Sequence, residues 1–348
     1  MKASNTLANA RPERGMVSRY AETLPGCEID LSDNTNLWGT PPSVQPLIAG
    51  AAITGLSRYP SAYSDDLKRE LARYAGVDSS MIVVGCGSDD LLDSAIRSLA
   101  APGETLAGLD PSFSMIPSFA AVSGLAFAGI PLLETGMADA FAEVSAGLSY
   151  LCSPNNPTGT VLQAEVIEAI VAGANGSVIV DEAYAEFAGA TSVELAGRYD
   201  NVMITRTMSK AFGMAGFRVG YAIASPELIC RVEAARGPYK VSSISEKVAM
   251  SVLQNDMEWV NERVVDAVTN RDRLAREFTG LGYTPLDSRA NFLLVPVPDS
   301  ASVETKMRTA RVAVRSFGSL TGIGDALRVT VGPWEMMERC LDAFGAAI

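Results

Sequence analysis

The chain has 348 residues, enough to bury the core of one large domain and a smaller one. Its 28 basic and 40 acidic side chains give a net charge of −12, which disfavours nucleic acid and anionic membranes as partners and otherwise serves solubility. The absence of histidine excludes Ser-His-Asp and Cys-His nucleophile systems, histidine-ligated zinc and an imidazole general base.

Two helices are predicted early in the chain. Ser64 is the expected N-cap of the first, which ends at Gly76, and Ser88 is the expected N-cap of the second. Apolar residues recur at helical spacing in both. They are Leu67, Leu71 and Tyr74 in the first helix and Leu91, Leu92, Ala95, Ile96 and Leu99 in the second.

Short apolar runs alternate with helical patterns from about residue 80 to residue 225. Such runs predict a mainly parallel sheet that helices cover on both faces. Ligands collect at the carboxyl ends of the strands in these sheets, which is also where the polar clusters of this sequence lie. The runs are residues 81–84, 105–109, 125–130, 149–152, 178–180, 202–205 and 219–224.

The first polar cluster, residues 85–90, follows a strand and begins a helix. Free backbone N–H groups and the helix dipole at such a junction bind phosphate. Asp90 stands where the dinucleotide fingerprint needs its third glycine, so the cluster is not a nucleotide-binding signature. A plain strand-to-helix turn accounts for these residues equally well.

The second cluster, residues 153–159, reads Ser-Pro-Asn-Asn-Pro-Thr-Gly and follows the run that ends at Cys152. Its prolines and glycine predict a rigid turn at the carboxyl end of a strand. The turn is either only a loop or part of a ligand site. The second reading rests on Asn155 and Asn156, because amide side chains held in a proline-fixed turn are good hydrogen-bond donors.

The third cluster is Asp181-Glu182-Ala183-Tyr184, directly after the run at residues 178–180. A carboxylate at the end of a buried strand is costly unless it is paired. Asp181 is therefore either a helix N-cap or the partner of a bound cationic group.

The fourth cluster contains Lys210, among small and apolar residues after another strand. In such surroundings the pKa of a lysine falls and the amine becomes a nucleophile. Arg218 and the hydroxyls of Thr207 and Ser209 are close enough in sequence to hold a phosphate. The alternative is a solvated surface lysine, but those rarely lie in so apolar a stretch.

The C-terminal third has a different pattern. A long amphipathic helix at residues 258–281 is followed by a strand at 291–297, a helix near 303–311 and a strand at 327–331. These elements predict a smaller α+β unit, which the N-terminal segment joins.

Residues 1–12 contain no apolar run, so no secretory signal is predicted, and no window approaches the ~20 apolar residues of a membrane span. The five cysteines are scattered without a C-x-x-C pair, which suits a reducing cytosol. We therefore predict a cytoplasmic protein with small buried cysteines, no disulfide and no metal site.

The four clusters together fit one cofactor. It needs a phosphate, a carbonyl for Lys210, a ring nitrogen for an acidic residue and a phenolic oxygen for asparagine and tyrosine. Pyridoxal phosphate has these groups, and its protein partners are a Schiff-base lysine and an aspartate at the pyridinium nitrogen.

The sequence resembles the fold-type I pyridoxal-phosphate aminotransferases of classes I and II, and among them the histidinol-phosphate aminotransferase-like group. The matches run in order over nearly the whole chain, and the Ser-Lys segment with its spaced arginine and the Asn-Pro-Thr-Gly loop are highly specific. They comprise residues 34–36, 38–39, 58–60, 87–90, 111–115, 153–159, 181–184, 206–210, 218–221, 291–292, 314–315 and 327–332.

The resemblance implies the cofactor contacts. Lys210 would form the Schiff base and move the proton between substrate and cofactor, and Asp181 would keep the ring nitrogen protonated. Asn156 and Tyr184 would hydrogen-bond the phenolate oxygen. Phe113 would stack on the ring, where the family usually has tyrosine. The implied phosphate ligands are Ser88, Asp89, Thr207, Ser209 and Arg218.

The resemblance also implies the substrate contacts. Arg328 would pair with the substrate α-carboxylate, assisted by Asn156. Arg315 would help to bind the side-chain end of the substrate, and Asn34 and Tyr20 complete the expected substrate site.

An α/β fold of the aspartate-aminotransferase type is implied as well. A three-layer α/β/α large domain with a mainly parallel seven-stranded sheet would be joined to a smaller α+β domain. We predict an N-terminal segment of the small domain at residues 1–45, the large domain at 46–240 and the small C-terminal domain at 241–348. Tyr59 would reach the phosphate of the neighbouring subunit, so a homodimer is expected.

The implied reaction is a ping-pong transamination between an amino acid and a 2-oxo acid, as in amino-acid biosynthesis. The family's Asn-Glu-Asn-Pro reads Asn34-Thr35-Asn36-Leu37 here, which alters the flap near the substrate side chain. Arg315 also occurs in relatives that act on aromatic amino acids. The donor thus stays open among aromatic amino acids, histidinol phosphate and related compounds.

Three rival functions differ in chemistry. A decarboxylase of a phosphorylated amino acid, of the threonine-phosphate type, would use the same fold and cofactor. A non-catalytic pyridoxal-phosphate-binding regulator is disfavoured, because such proteins usually carry a DNA-binding domain and no basic segment offers one. A nicotinamide oxidoreductase is disfavoured by the failed glycine fingerprint.

Overall fold

Three sheets hold the strands of the computed structural model, which describes residues 26–50, 57–132 and 136–348. The strands are β1 (Ile29–Asp30), β2 (Ile82–Cys86), β3 (Thr105–Asp110), β4 (Ala126–Pro131), β5 (Leu148–Cys152), β6 (Ser177–Asp181), β7 (Val202–Thr207), β8 (Val219–Ala224), β9 (Phe292–Pro296), β10 (Val312–Ala313), β11 (Arg315–Leu320) and β12 (Gly324–Thr330).

The central sheet contains seven of these strands in the order β2-β8-β7-β6-β5-β3-β4. β8 is antiparallel to both of its neighbours, and the remaining neighbouring pairs are parallel. These strands coincide with the seven apolar runs of the sequence, so the predicted mainly parallel seven-stranded sheet is confirmed.

Helices cover both faces of the central sheet. In β6, Val178 and Val180 face one apolar core while Ile179 faces the other, as the two-residue period of a strand requires. None of the helices in the described ranges is both long and apolar enough to cross a membrane. The helices are α1 (Val44–Ala49), α2 (Asp65–Ala75), α3 (Gly87–Leu99), α4 (Met115–Val122), α5 (Met137–Glu143), α6 (Ala164–Gly173), α7 (Ala185–Ala188), α8 (Pro226–Arg236), α9 (Ser243–Asn255), α10 (Met257–Gly280), α11 (Ser300–Thr309) and α12 (Trp334–Ala347).

The two early helices are present, and their predicted caps are found at Ser64 and Gly76 for α2 but not at Ser88 for α3. Gly76 ends α2 in the left-handed conformation at φ 71°, as expected, whereas Ser64 at φ 59° makes no side-chain capping bond. α3 begins at Gly87, so Ser88 lies in its first turn instead of preceding it. At the start of this helix, the Cys86 N–H finds its acceptor in the Asp90 carboxylate (3.0 Å).

The smaller unit combines the antiparallel sheet β11-β12-β9 with α10, α11 and α12. The N-terminal segment joins it, because β1 pairs with β10 and the Leu31 N–H donates to the backbone oxygen of Ala313 (2.8 Å). Leu31 also packs in one apolar cluster with Phe278 and Phe344. The boundaries at residues 45 and 240 remain a prediction.

Candidate active site

A cavity of 450 Å³ lies at the carboxyl ends of the central strands, beside the smaller unit. Of the predicted site residues, Arg315 and Tyr59 do not line it, and Tyr20 lies outside the described residues. The others come from distant parts of the chain and meet here because the ends of parallel strands share one edge of the sheet. They are Asn34, Ser88, Asp89, Phe113, Asn156, Asp181, Tyr184, Thr207, Ser209, Lys210, Arg218 and Arg328.

Lys210 reaches into the cavity just beyond β7. Its Nζ donates a hydrogen bond to the backbone oxygen of Asp33 (2.9 Å) and lies 6.0 Å from the centroid of the Tyr184 ring. Desolvation, and next the positive charge of Arg328, lowers the pKa of Lys210 to about 8. More of the amine is therefore unprotonated at neutral pH than in an ordinary lysine, as a nucleophile requires.

Asp181 ends β6 with its buried carboxylate facing the cavity. Oδ2 accepts a hydrogen bond from the Tyr150 hydroxyl (2.8 Å), and Oδ1 accepts one from the Thr205 hydroxyl (3.1 Å). Desolvation raises the pKa of Asp181 to about 6, although these bonds act in the opposite direction. The alternative of a helix N-cap is wrong, because α7 begins later, with Tyr184 at its N-cap.

An anion-binding set lies at another side of the cavity. Arg218 Nη1 donates to Ser209 Oγ (3.4 Å), and the Thr207 hydroxyl donates to the same oxygen (2.9 Å). The start of α3 adds backbone N–H groups that have no helical acceptor. A side chain at Gly87 would put its Cβ 2.3 Å from Arg218 Nη2, so only glycine admits the guanidinium beside this helix end. A cation, hydroxyls and a helix N-terminus together fit a phosphate.

Arg328 holds the side of the cavity next to the smaller unit, with its side chain buried. Nη1 donates to Asn156 Oδ1 (2.5 Å), and Nη2 donates to the backbone oxygen of Ser32 (2.6 Å). The guanidinium carbon lies 5.5 Å from the ring centroid of Phe292 and 5.6 Å from that of Phe317. Two rings and two oxygens thus fix a planar fork that is suited to a carboxylate.

Asn34 connects this side of the cavity to Tyr184. It is 1% exposed, and its Nδ2 donates to the Tyr184 hydroxyl (3.0 Å) while its N–H donates to Thr330 Oγ1 (3.0 Å). Desolvation raises the pKa of Tyr184, so its phenol stays protonated at neutral pH. The neighbouring Thr35 donates to the carboxylate of Asp33 through its hydroxyl (2.8 Å), and both line the cavity.

Two predicted contacts lie outside the cavity lining. Tyr59 is 83% exposed and stacks on Tyr239 with the ring centroids 4.8 Å apart. Arg315 is the cross-strand neighbour of Arg328 in the β11–β12 ladder, so the two side chains project from the same face. The roles assigned to both residues remain predictions.

Several residues that shape the site escaped sequence reasoning. Tyr150 and Thr205 hold Asp181, while Phe292 and Phe317 flank Arg328. Only Tyr150 carried a signal, since a hydroxyl in the middle of a strand buried on both faces must find a partner. Within the described ranges, no cluster of three or more acidic or cysteine side chains could hold a metal ion.

Comparison with known proteins gives a consistent result. The sequence model of aminotransferase class I and II matches residues 28–344. The histidinol-phosphate aminotransferase of Thermoanaerobacter pseudethanolicus is 36% identical over 284 residues, which are 80% of each chain. That of Sinorhizobium meliloti, whose crystal structure contains pyridoxal-5'-phosphate, superposes with a TM-score of 0.85 at 25% identity, covering 92% of this chain and 91% of the other.

The fold extends beyond these relatives. The aspartate aminotransferase of Thermus thermophilus, as its tetra mutant 1, superposes with a TM-score of 0.78 at 20% identity, covering 92% of this chain and 96% of the other. The predicted aspartate-aminotransferase-like fold is therefore confirmed.

Proposed function

The chain belongs to the class I and II aminotransferases, and from this we propose that its cavity binds pyridoxal phosphate through Lys210 and Asp181. The observation that carries the proposal is that a lysine with a lowered pKa and a buried aspartate face one cavity beside an anion-binding set. Bound there, pyridoxal phosphate would supply an aldehyde for the amine and a protonated ring that draws electrons from the substrate Cα.

The phosphate of the cofactor fits the anion-binding set. Arg218 supplies the charge, Thr207 and Ser209 supply hydroxyls, and the first turn of α3, with Ser88 and Asp89, supplies backbone N–H groups. Phe113 lines the same cavity and offers a ring face for stacking. These residues would thereby hold the cofactor by its phosphate, independently of Lys210.

Lys210 has two tasks in this proposal. Its Nζ first binds the cofactor covalently, which needs the unprotonated amine. With an amino donor bound, the free Nζ would accept the proton from the substrate Cα, which needs a base whose pKa lies near the working pH. A pKa of about 8 suits both tasks, and no histidine is available in the sequence for the second.

Asp181 and Tyr184 stabilise opposite features of the bound ring. The Asp181 carboxylate would keep the ring nitrogen protonated by pairing with its positive charge. The Tyr184 hydroxyl already accepts a hydrogen bond from Asn34 and would donate its own proton to the phenolate oxygen, together with the amide of Asn156.

Arg328 would bind the α-carboxylate of an amino-acid substrate or, in histidinol phosphate, the phosphate that lies on the carbon next to Cα in place of a carboxylate. Its fork is held by Asn156 and Ser32, so the guanidinium does not have to be ordered when the substrate arrives. When Arg328 fixes the anionic group of the substrate, the direction of the Cα–H bond is also fixed, so that the proton can face Lys210.

For the donor, we infer histidinol phosphate or an aromatic amino acid. The relatives named above are histidinol-phosphate aminotransferases, and Arg315 lies beside Arg328 on one face of the small sheet, where it offers a second cation to the far end of a substrate. Tyr59 is exposed, as a residue that serves a neighbouring subunit would be, which supports a homodimer. Scattered cysteines support a cytoplasmic location.

A single-turnover assay tests the function. The purified protein is loaded with pyridoxal phosphate and mixed with glutamate, each aromatic amino acid or histidinol phosphate, while absorbance follows conversion of the cofactor to its amine form. We expect conversion with at least one of these donors and reversal by a 2-oxo acid. A parallel reaction with threonine phosphate that releases carbon dioxide without need of a 2-oxo acid would instead show the decarboxylase.

A further inference from the structure

Tyr150 is a buried polar residue at the centre of the main sheet that the proposed reaction has not used. It is 0% exposed, and its ring packs in the apolar core on the α3 face of the sheet. The ring also lines a second cavity of 260 Å³, which Phe113 separates from the active-site cavity by lining both. Its hydroxyl, by contrast, points to Asp181 Oδ2 at 2.8 Å.

The Asp181 carboxylate is held by donors from three places. Tyr150 on β5 binds Oδ2, while Thr205 on β7 and the Ala183 N–H (3.3 Å) bind Oδ1. Because both oxygens are engaged, the carboxylate cannot rotate without losing a hydrogen bond. Its orientation toward the cavity is therefore set by the strands on either side of β6.

Opposing influences act on the ionisation of this carboxylate. Desolvation raises the pKa of Asp181, and the hydrogen bond from Tyr150 is the strongest influence that lowers it. Asp89 on α3 adds a like charge, and Cys152 on β5 and Tyr184 beyond β6 are the other titratable groups that face it. A carboxylate in this position depends on hydrogen-bond donors to remain ionised at neutral pH.

We propose that Tyr150 is a positioning residue for transamination, whose hydroxyl keeps the Asp181 carboxylate ionised and turned toward the ring nitrogen of the cofactor. The inference rests on the proposed function. Without the hydroxyl, Asp181 becomes a neutral acid near pH 7 and loses its hold on a protonated ring nitrogen. Tyr150 itself lies behind the carboxylate and acts only through it.

The first test needs no cofactor. Aspartate is labelled with carbon-13 at its carboxyl carbon, and the Asp181 signal of the apo-protein is assigned by its loss in D181N. We expect this carboxyl to titrate at about pH 6 in the wild type and about 1–2 pH units higher in Y150F, because a hydrogen bond to a charged group is lost. An unchanged titration in Y150F would overturn the proposal.

Y221F is the matched control. Tyr221 is equally buried, lies on β8 of the same sheet and packs in the core on the opposite face. Y221F therefore also removes one buried phenol oxygen, but at a place that does not contact Asp181. T205V is a second variant, which removes the donor to Oδ1 and should also raise the Asp181 titration. If circular dichroism shows that Y150F does not fold, Y150M, which also lacks the hydroxyl, takes its place in the same titration with the same two outcomes.

The second test uses the loaded enzyme. In Y150F the acid limb of the kcat profile should move up by about one to two pH units, so kcat falls by about 3- to 25-fold at pH 6.5 and recovers toward pH 8.5, with KM for the amino donor little changed. An equal loss at every pH, or the same profile in Y221F, would show a purely structural role. A wild-type protein that binds no pyridoxal phosphate refutes the proposed function, whatever the carboxyl titration shows.

Discussion

The two sides of the active-site cavity are built in different ways. The side that holds Lys210, Asp181 and Arg218 is formed by strand ends of one sheet, and neighbouring strands fix its geometry. The side that holds Arg328 is formed by three segments far apart in sequence, since Ser32 and Asn156 lie 296 and 172 residues from it. In the proposed function, the chemistry therefore resides on the sheet, and substrate recognition resides where separate parts of the chain meet.

This difference predicts separable effects. Changes on the sheet side should alter cofactor binding and kcat, whereas changes on the Arg328 side should alter the use of substrate and leave cofactor loading intact.

The largest effect is expected for K210A. Loss of the amine removes both the covalent bond and the base, so kcat should fall by about 10⁴-fold or more and the absorbance band of the lysine-bound cofactor should vanish. The exposed Lys247 on α9 provides the control K247A, for which no change is expected. A K210A protein that kept both the band and turnover would refute the assignment of the sheet side.

R328K should have the next largest effect. Lysine keeps the charge but cannot contact Asn156, Ser32 and a carboxylate with one fixed fork, so kcat/KM should fall by about 10²–10³-fold. An equilibrium titration of R328K that shows unchanged affinity for pyridoxal phosphate would support separate roles for the two sides of the cavity. Weakened loading in R328K would mean that the two sides are not separable.

The rate at which apo-protein is loaded with pyridoxal phosphate should depend on pH. The pKa of Lys210 is lowered to about 8, and the unprotonated form reacts, so the rate rises as pH increases through 8. We expect the loading rate to rise about tenfold from pH 7 to pH 9 and then to reach a plateau. With an ordinary lysine, whose pKa is about 10.4, the rate would continue to rise. Stopped-flow absorbance gives the rate, and a continued increase beyond pH 9.5 would contradict the lowered pKa.

The smallest effect is expected for F317L. Leucine fills much of the space but removes one of the two rings beside the Arg328 guanidinium, so KM for the amino donor should rise by about two- to fivefold with kcat little changed. The change F119L alters an aromatic residue that lines the active-site cavity but has no ring contact with Arg328 among the described residues, and it serves as the control. Equal effects of the two variants would assign the change to cavity shape alone.

The same contrast explains what could be predicted from the sequence. Lys210 and Asp181 were found from the residues themselves, because each follows an apolar run that had to be a strand. Arg328 was identified only through the family resemblance, since its partner Ser32 has no local pattern that points to it.

The errors have local causes. Ser64 occupies the N-cap position of α2, as its residue type predicts, but it does so in a left-handed backbone conformation and without the expected capping bond. The N-cap of α3 is Cys86, two residues before the predicted Ser88, because Gly87 lets the chain enter α3 directly from β2. Tyr150 was missed because a phenol ring in a strand also suits an apolar core, and only the fold brings its hydroxyl to Asp181.

The hydrogen bond between Arg328 and Ser32 also bears on the order in which parts of the chain fold. During synthesis the ribosome makes Ser32 long before Arg328, because 296 positions separate them. Closing so long a loop carries an entropic cost that is met only when the intervening sheet has already formed. The central sheet that carries Lys210 uses strands no later in the chain than Ala224, whereas the contact that holds Arg328 in the proposed substrate site needs both of its distant segments in place.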